Sequence, residues 1–445
     1  MEETQKNRSA IAAAGKKFRT NNISKRVQKI VISPIKEMSI LADEFEEKNP
    51  GADIVSFGQG IPYFDTYPYI KDGIRVALQE PDTSKYTLEP GITELRMLVG
   101  DFLIHEKGAI NVEAKKEIMI GVGCQEVVAC ALASLIDEGD EVLVISPAFA
   151  SHIEQVIQWG GTPVLVPLQE NEGWRFDITE AEKRITEKTK VVLFSNPSNP
   201  TGKVFSHDEL QSIADLAKKH DFIVISDETY DFLTYDNIPH VSMAKFHDVC
   251  DRVIVCGSFS KKYALTGYRV GYGFADEGII DHMLKVHDAL AICAPAISQK
   301  AAIAAIKGPK EFVADAVQKF SANREAMMRE LDTFSDIFSY QKPEGAYYIL
   351  VNVNPVRNSL FQNKRSDALD VAVSNGIKIP DIDSFKLALK ILHEARIIVI
   401  PGAAFGAEGE NHLRFSFACP PENIPKGFER LREWKEQWKK ERYAL

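Results

Sequence analysis

The sequence lacks the marks of several protein classes. Its 445 residues contain six cysteines, of which no two form a C-x-x-C pair, and no apolar run approaches eighteen residues. A membrane-spanning helix needs about twenty predominantly apolar residues in a row, so we expect none here. Internal repeats and low-complexity tracts are also missing from the sequence. We therefore expect reduced, mostly buried cysteines and a cytosolic globular protein.

Negative charge exceeds positive charge outside the first thirty residues. The net charge is −10, yet residues 1–30 carry eight Lys or Arg against two Glu, which leaves about −16 on the rest. A body this acidic does not suit a nucleic-acid backbone, so we expect no nucleic-acid partner. The basic segment has some likeness to an organelle-targeting peptide, but Glu2 and Glu3 count against that interpretation. We interpret residues 1–30 as a basic arm that extends from the body or docks on a partner subunit.

Apolar strands and helical segments alternate through the middle of the chain. Apolar runs at 142–145, 164–166, 191–194 and 222–225 alternate with helical segments of roughly 10–15 residues. This alternation is typical of a mostly parallel sheet with helices on its faces. After about residue 310 the pattern changes to long polar helices and short strands, which predicts a smaller α+β domain.

Residues 258–271 concentrate reactive and phosphate-binding side chains. They read Ser-Phe-Ser-Lys-Lys-Tyr-Ala-Leu-Thr-Gly-Tyr-Arg-Val-Gly. A free lysine has a pKa of about 10.4, so lysine chemistry needs a site that lowers this pKa or a carbonyl cofactor that captures the amine. Ser258, Ser260 and Arg269 suit a phosphate group, because the arginine fork matches phosphate oxygens. Lys261 is therefore a candidate for a Schiff base with pyridoxal phosphate, although a surface loop with two solvated lysines is the simpler alternative.

Polar residues follow three buried strands in succession. They are Asn199 after the strand at 191–194, Asp227 and Tyr230 after the strand at 222–225, and Lys261 after the strand at 253–256. Ligands of parallel sheets sit beyond the carboxyl ends of the strands, so we expect these side chains to converge on one edge. Each alone also fits a simpler role as a turn, a helix cap or a packed aromatic. Their recurrence favours a shared site.

Two glycine-containing turns allow the backbone to approach a ligand closely. The first is Gly58-Gln59-Gly60, and the second is Gly121-Val122-Gly123, which leads into an apolar helix. The start of a helix offers unpaired N–H groups and a positive dipole end to a phosphate. Taken alone, the first segment is more simply read as an ordinary glycine-rich turn.

These motifs, in this order, resemble those of class I (fold type I) pyridoxal-phosphate aminotransferases of the aspartate, aromatic and kynurenine type. The likeness runs from about Ser33 onward and includes the family's lysine signature at 258–271. It implies an α/β fold with a mostly parallel seven-stranded sheet between helices and a smaller α+β domain. The implied parts are a basic arm (1–30), the first part of the small domain (31–62), a large cofactor-binding domain (63–310) and a C-terminal small domain (311–445).

The resemblance also implies a role for each site residue. Lys261 would form the Schiff base and then move the substrate α-proton, Asp227 would pair with the pyridine nitrogen, and Tyr230 would hydrogen-bond the phenolic oxygen. The other implied cofactor contacts are Cys124 and Gln125 through their N–H groups, Phe149 by stacking, Asn199, Ser258, Ser260, Arg269, and Tyr86 from the other subunit. The implied substrate contacts are Gly60, Asn199 and Arg414.

The implied activity is transfer of an amino group from an L-amino acid to a 2-oxo acid, with 2-oxoglutarate as the expected acceptor. The family works by a ping-pong mechanism, and its shared active sites imply a homodimer. Some positions depart from the family pattern. Gly-Ile-Pro-Tyr-Phe at 60–64 replaces Gly-Glu-Pro-Asp-Phe, and Ala148 and His152 stand where aromatic residues are common. These departures favour neutral or aromatic amino acids over aspartate.

Two alternatives and one unexplained segment remain. A β-eliminating lyase is compatible with the same residues, because this fold supports several outcomes after α-proton removal. A non-catalytic regulatory module that binds the cofactor is the second alternative, but residues 1–30 are too short for a DNA-binding helix-turn-helix domain. Residues from about 356 to 382 look like an insertion relative to the family.

Overall fold

The structure is a computed structural model that describes residues 23–30, 33–353 and 383–443. The predicted insertion at 356–382 and most of the predicted arm lie outside these residues. The helices are α1 (Lys25–Lys29), α2 (Pro34–Lys48), α3 (Pro68–Ala77), α4 (Thr93–Lys107), α5 (Cys124–Leu135), α6 (Ala150–Gln158), α7 (Ile178–Glu182), α8 (His207–His220), α9 (Glu277–Ala291), α10 (Ala296–Lys307), α11 (Glu311–Asp332), α12 (Asp383–Ala395) and α13 (Asn423–Tyr443).

The strands are β1 (Val55–Ser56), β2 (Ile118–Gly121), β3 (Glu141–Ser146), β4 (Thr162–Pro167), β5 (Thr189–Ser195), β6 (Ile223–Asp227), β7 (Val253–Ser258), β8 (Gly271–Phe274), β9 (Ser339–Tyr340), β10 (Tyr348–Asn352), β11 (Ile397–Ile398), β12 (Ile400–Pro401) and β13 (His412–Ser416). None of the helices within the described ranges is long and apolar enough to cross a bilayer.

Local sequence explains where several helices begin and end. The α8 helix begins with a capping box, in which Ser206 and Glu209 each accept a hydrogen bond from the other's backbone N–H. The α4 helix ends at Gly108 in the left-handed conformation that glycine adopts without strain. The α5 helix follows Gly123, whose φ of +82° turns the chain from β2 into the helix.

A seven-stranded sheet has the order β2-β8-β7-β6-β5-β3-β4. The β8 strand runs antiparallel to both neighbours, and every other pairing in this sheet is parallel. Successive strand residues pack into different clusters: Val142 and Val144 of β3 join one, while Leu143 and Ile145 join the other. This alternation is expected when helices cover both faces of a sheet. The predicted mostly parallel sheet between helices is confirmed.

A third apolar cluster forms the core of a second unit of structure. Its antiparallel sheet has the order β12-β13-β10-β9, and β1 pairs in parallel with β11. Met38 and Phe57 pack in the same apolar cluster as Phe415 and Phe428. The segments before residue 62 and after residue 311 therefore share a core, as predicted for a smaller α+β unit. The domain division at these particular residues stays a prediction.

The last helix is exposed on one face and buried on the other. The segment 428–442 has apolar residues at helical spacing among many charges, which predicts a surface helix, and α13 buries its apolar face against α11 and α12. Phe428, Leu431 and Trp434 are buried on that face. Their helical spacing forms the apolar stripe that is visible in the sequence, and the charges lie on the opposite face.

Candidate active site

A cavity of about 270 Å³ lies where β5, β6 and β7 end. The final residues of these strands, Ser195, Asp227 and Ser258, all line it. The predicted site residues that also line it are Gly60, Cys124, Gln125, Phe149, Asn199, Tyr230, Ser260, Lys261, Arg269 and Arg414. Tyr86 does not line this cavity, and its side chain is exposed at the surface. The structure thus brings together every predicted site residue except the one expected from another subunit.

Lys261 lines this cavity and is half-buried. Its Nζ donates a hydrogen bond to the carbonyl oxygen of Gly60 at 2.6 Å. Burial, together with the nearby charges of Arg269 and Arg414, lowers the pKa of Lys261 to about 8. An amine with this pKa is uncharged in a useful fraction of molecules near neutral pH, as a nucleophile or a base must be.

Asp227 is a buried carboxylate that stays ionised. Its Oδ1 accepts a hydrogen bond from the N–H of Thr229 at 3.0 Å, and its Oδ2 lies 3.1 Å from Nε2 of His152. Burial alone raises the pKa of Asp227, but these contacts with His152 and Thr229 outweigh it and hold the pKa below its usual value. A fixed carboxylate of this kind is suited to hold a protonated ring nitrogen.

His152 and Thr229 are site residues that the sequence analysis missed as contacts of Asp227. Both had local signals. Thr229 lies two residues after Asp227, the spacing at which an aspartate side chain accepts from the backbone. His152 lies one helical turn after Phe149, and the two rings are 5.5 Å apart. Helical spacing therefore places His152 in the cavity beside the predicted stacking residue.

Tyr230 and Tyr348 line another part of the cavity, and Tyr347 packs against both. The hydroxyls of Tyr230 and Tyr348 are 2.8 Å apart, and the hydroxyl of Tyr347 donates to the carbonyl of Gly60 at 2.7 Å. Burial raises the pKa of Tyr230 well above its usual value, so its hydroxyl keeps its proton. Tyr348 was not predicted, because its contact with Tyr230 joins residues far apart in the sequence.

Arg414 lies on β13 with its guanidinium fully buried. It donates to Oδ1 of Asn199 at 3.1 Å and to the carbonyl of Gly58 at 2.8 Å, and it stacks over the ring of Tyr348 at 4.3 Å. Its Nε is buried without a hydrogen-bond partner among the described residues. A buried guanidinium with an unused donor is suited to receive a carboxylate.

The start of α5 forms a cup with Arg269. A Cβ added at Gly123 would lie 2.5 Å from Nη2 of Arg269, and one added at Gly271 would lie 2.5 Å from the backbone N of Cys124. Larger residues at either glycine would therefore disturb the cup. The cup also contains Ser258 and Ser260, which are linked by a hydrogen bond of 3.1 Å. Helix-start N–H groups, hydroxyls and a guanidinium fit the phosphate of pyridoxal phosphate.

The family model for aminotransferases of class I and II matches residues 52–431, so the chain belongs to this family. It is a pyridoxal-phosphate-dependent aminotransferase, with amino-acid and 2-oxo-acid substrates. The predicted enzyme class, cofactor and fold type are thereby confirmed.

Individual relatives cover almost the whole chain. The probable aspartate aminotransferase of Methanocaldococcus jannaschii is 34% identical over 418 residues, which are 92% of this chain and 99% of that protein. The aromatic-amino-acid aminotransferase 2 of Thermococcus litoralis is 31% identical over 92% of this chain and 97% of its own. The solved structure of Thermus thermophilus aspartate aminotransferase with maleate superposes with a TM-score of 0.81 at 29% identity, covering 92% of this chain and 98% of that one.

Proposed function

We propose that the protein transfers the amino group of a neutral or aromatic L-amino acid to a 2-oxo acid in two successive half-reactions. The observation that carries this proposal is the set of cations in the cavity. Among the described residues that line it, the lysines and arginines are Lys261, Arg269 and Arg414. Each has a proposed partner in the cofactor or in the substrate α-carboxylate. In this part of the chain, no further lysine or arginine remains for the side-chain carboxylate of aspartate.

Aspartate is the second candidate donor, because several relatives are named aspartate aminotransferases. Its side-chain carboxylate would then need a cation from a second subunit. We propose 2-oxoglutarate as the acceptor on the strength of the family resemblance. Its distal carboxylate also has no lysine or arginine partner among the described residues of the cavity. We therefore place that group toward solvent or the partner subunit.

We propose the following roles for the residues of the cavity. Bound pyridoxal phosphate supplies a ring that accepts the electron pair left when a substrate loses its α-proton. The Nζ of Lys261 moves that proton, and Asp227 holds the ring nitrogen in its protonated form. Tyr230 and Asn199 contact the phenolic oxygen, Phe149 stacks on the ring, and the cup at the start of α5 holds the phosphate.

A scan of single half-reactions tests the proposed function. The holoenzyme is mixed with one amino acid at a time, without an acceptor, and the absorbance of the lysine-bound cofactor is followed. We expect tyrosine, phenylalanine and leucine to bleach this band faster than aspartate. Faster bleaching by aspartate would assign the enzyme to the other donor class. Release of pyruvate from a sulfur amino acid without any acceptor would identify a lyase.

The substitution Arg414→Ala is expected to raise KM for the amino acid by about 100-fold. The guanidinium is the proposed partner of the α-carboxylate, and losing a hydrogen bond to a charged group costs about 1.5–3 kcal/mol. Affinity for pyridoxal phosphate should change less than about threefold. Steady-state kinetics and a cofactor titration measure the two quantities. Equal loss of cofactor and substrate affinity would show that Arg414 is not specific for the substrate.

Capture of pyridoxal phosphate by the cofactor-free protein is expected to follow the pKa of Lys261, which is about 8. The uncharged amine is the nucleophile, so its fraction grows about tenfold between about pH 7 and pH 9 and then levels off. An ordinary lysine would give about a hundredfold increase over this range. Stopped-flow absorbance measures the rate. A rate that still rises steeply above about pH 9 would contradict the lowered pKa.

We also propose that the enzyme is a homodimer with shared active sites. Tyr86 and Leu88 have side chains that are 79% and 71% exposed, and Leu290 and Ile292 are also exposed. A contiguous exposed apolar patch commonly marks a protein–protein interface, and we propose that these residues belong to one. Tyr86 would then reach the cofactor of the other subunit.

Mixing two inactive variants tests this arrangement. Tyr86→Ala and Lys261→Ala are expected to regain cofactor binding when their subunits are exchanged, because one site of each mixed dimer then has both natural residues. No recovery, in a mixture shown by sedimentation to contain mixed dimers, would place Tyr86 in its own subunit's site or in none.

A further inference from the structure

A partly buried acid and a buried histidine lie beside the turn that leads into the proposed phosphate cup. Glu126 is in the first turn of α5, and His287 is a fully buried residue of α9. The Nδ1 atom of His287 lies 2.8 Å from Oε1 of Glu126. Neither residue lines the cavity. The pair therefore connects the cup-forming helix to a second helix without touching the substrate.

The second carboxylate oxygen of Glu126 reaches the turn that precedes α5. Its Oε2 accepts a hydrogen bond from the backbone N–H of Val122. Within the same turn, the N–H of Gly123 donates to the carbonyl of Gly121 at 2.8 Å. One carboxylate thus joins α9, through His287, to the turn that carries Gly123 into the cup.

The position of this turn controls the proposed phosphate site. Gly123 leaves no room beside Arg269, as the 2.5 Å approach of an added Cβ shows. The next residues, Cys124 and Gln125, present the first N–H groups of α5. A turn that shifts would move these donors and the guanidinium of Arg269 relative to one another.

We propose that Glu126 and His287 are positioning residues for the cofactor phosphate. The hydrogen bond from His287 fixes the Glu126 carboxylate, and the carboxylate fixes the turn at 121–123. This inference rests on the proposed assignment of the α5 start to the phosphate. It predicts an effect on phosphate recognition that a general loss of stability would not produce.

Comparing two ligands isolates this effect. Cofactor-free protein is titrated by absorbance with pyridoxal phosphate and, separately, with pyridoxal, which lacks the phosphate. The quantity compared between variants is the affinity for pyridoxal phosphate divided by the affinity for pyridoxal. Glu126→Ala is expected to lower this ratio by about tenfold, which corresponds to roughly one hydrogen bond. Its affinity for pyridoxal should stay within about twofold. Glu126→Gln should keep most of the ratio, because its amide can still accept from Val122 and face His287.

Two further variants, at His287 and Cys130, test the proposal. His287→Ala is a second variant, expected to lower the ratio in the same direction if Glu126→Ala does not fold. Cys130→Ala is the matched control, because Cys130 is buried on the same helix near both residues. An unchanged ratio in folded Glu126→Ala and His287→Ala would overturn the proposal. If Cys130→Ala lowers the affinity ratio as much as Glu126→Ala does, and added Zn²⁺ restores the ratio, the proposal is also wrong. The three residues would then form a metal site.

The wild-type protein separates this proposal from the proposed function. A strong preference of the wild type for pyridoxal phosphate over pyridoxal, removed by Arg269→Ala, would support the phosphate assignment on which the inference rests. If the wild type shows no such preference, the assignment itself fails, whatever the Glu126 and His287 variants do.

Discussion

Lys261→Ala is expected to slow amino transfer by at least about 10³-fold while leaving the fold intact. The amine is the proposed attachment point of the cofactor and the proposed base, and a positioned base alone contributes about 10²–10⁴-fold. The structure also indicates that the amine does not stabilise the protein. Its pKa of about 8 is below the usual value of 10.5, because burial disfavours the charged form. Below about pH 8 the buried charge therefore costs stability, and this cost falls as the pH rises toward 10.5.

Rapid-mixing half-reactions and urea unfolding of the cofactor-free protein measure these two effects. At neutral pH we expect the variant to be at least as stable as the wild type. Lys262→Ala is the matched control, because Lys262 is adjacent but lies over the ring of Phe102 at 4.5 Å, outside the cavity. Near-normal transfer by Lys261→Ala would refute the role of Lys261. If only the Lys262 variant loses the cofactor absorbance, the cofactor is attached to Lys262 rather than to Lys261.

Lys107→Met is expected to lower the free energy of unfolding by about 3–5 kcal/mol, because it leaves buried carboxylates without their cation. The Nζ of Lys107 lies 2.7 Å from Asp231 and 3.2 Å from Glu228, and the side chains of all three are at most 9% exposed. Burial alone raises the pKa of Asp231, but Lys107 and other nearby cations outweigh it and lower this pKa to about 2. This contribution of Asp231 is present above its usual pKa of 3.8 and is lost as the pH falls through about 2.

Urea unfolding near neutral pH measures this change. Lys310→Met is the matched control: Lys310 pairs with Glu106 at 2.6 Å, but its side chain is 88% exposed. A surface pair contributes at most about 1 kcal/mol, so the control should be nearly neutral. If the two variants are equally stable, water screens the charges of Lys107, Asp231 and Glu228 as it screens a surface pair. Because Glu228 and Asp231 flank Tyr230, we also expect weaker cofactor binding in Lys107→Met.

The part of the site that the sequence predicts consists of residues that follow the ends of buried parallel strands. Asn199, Asp227 and Lys261 each follow a buried strand, and parallel pairing brings such positions to one edge without any knowledge of side-chain packing. Arg414 was placed by resemblance, since the antiparallel sheet that carries it offers no comparable rule. Sequence patterns thus predict convergence well where the backbone topology alone produces it.

The contacts that were not predicted depend on packing between distant segments. Tyr348 meets Tyr230, and Lys107 meets Asp231, over sequence separations that no periodicity encodes. A lysine at the end of an amphipathic helix is normally a surface residue, so nothing in the sequence around Lys107 indicates a buried ion cluster. Such partners become visible only after the helices have been placed on the sheet.

The pairing of β1 with β11 has a consequence for synthesis on the ribosome. Val55 and Ser56 pair with Ile397 and Ile398, so β1 cannot complete its ladder until the chain has been made as far as residue 398. The seven-stranded sheet ends at residue 274 and is free to assemble earlier. Gly60, which follows β1 and accepts from Lys261, therefore reaches its final place late. A nascent chain therefore holds its reactive lysine in an unfinished pocket until β11 has been made.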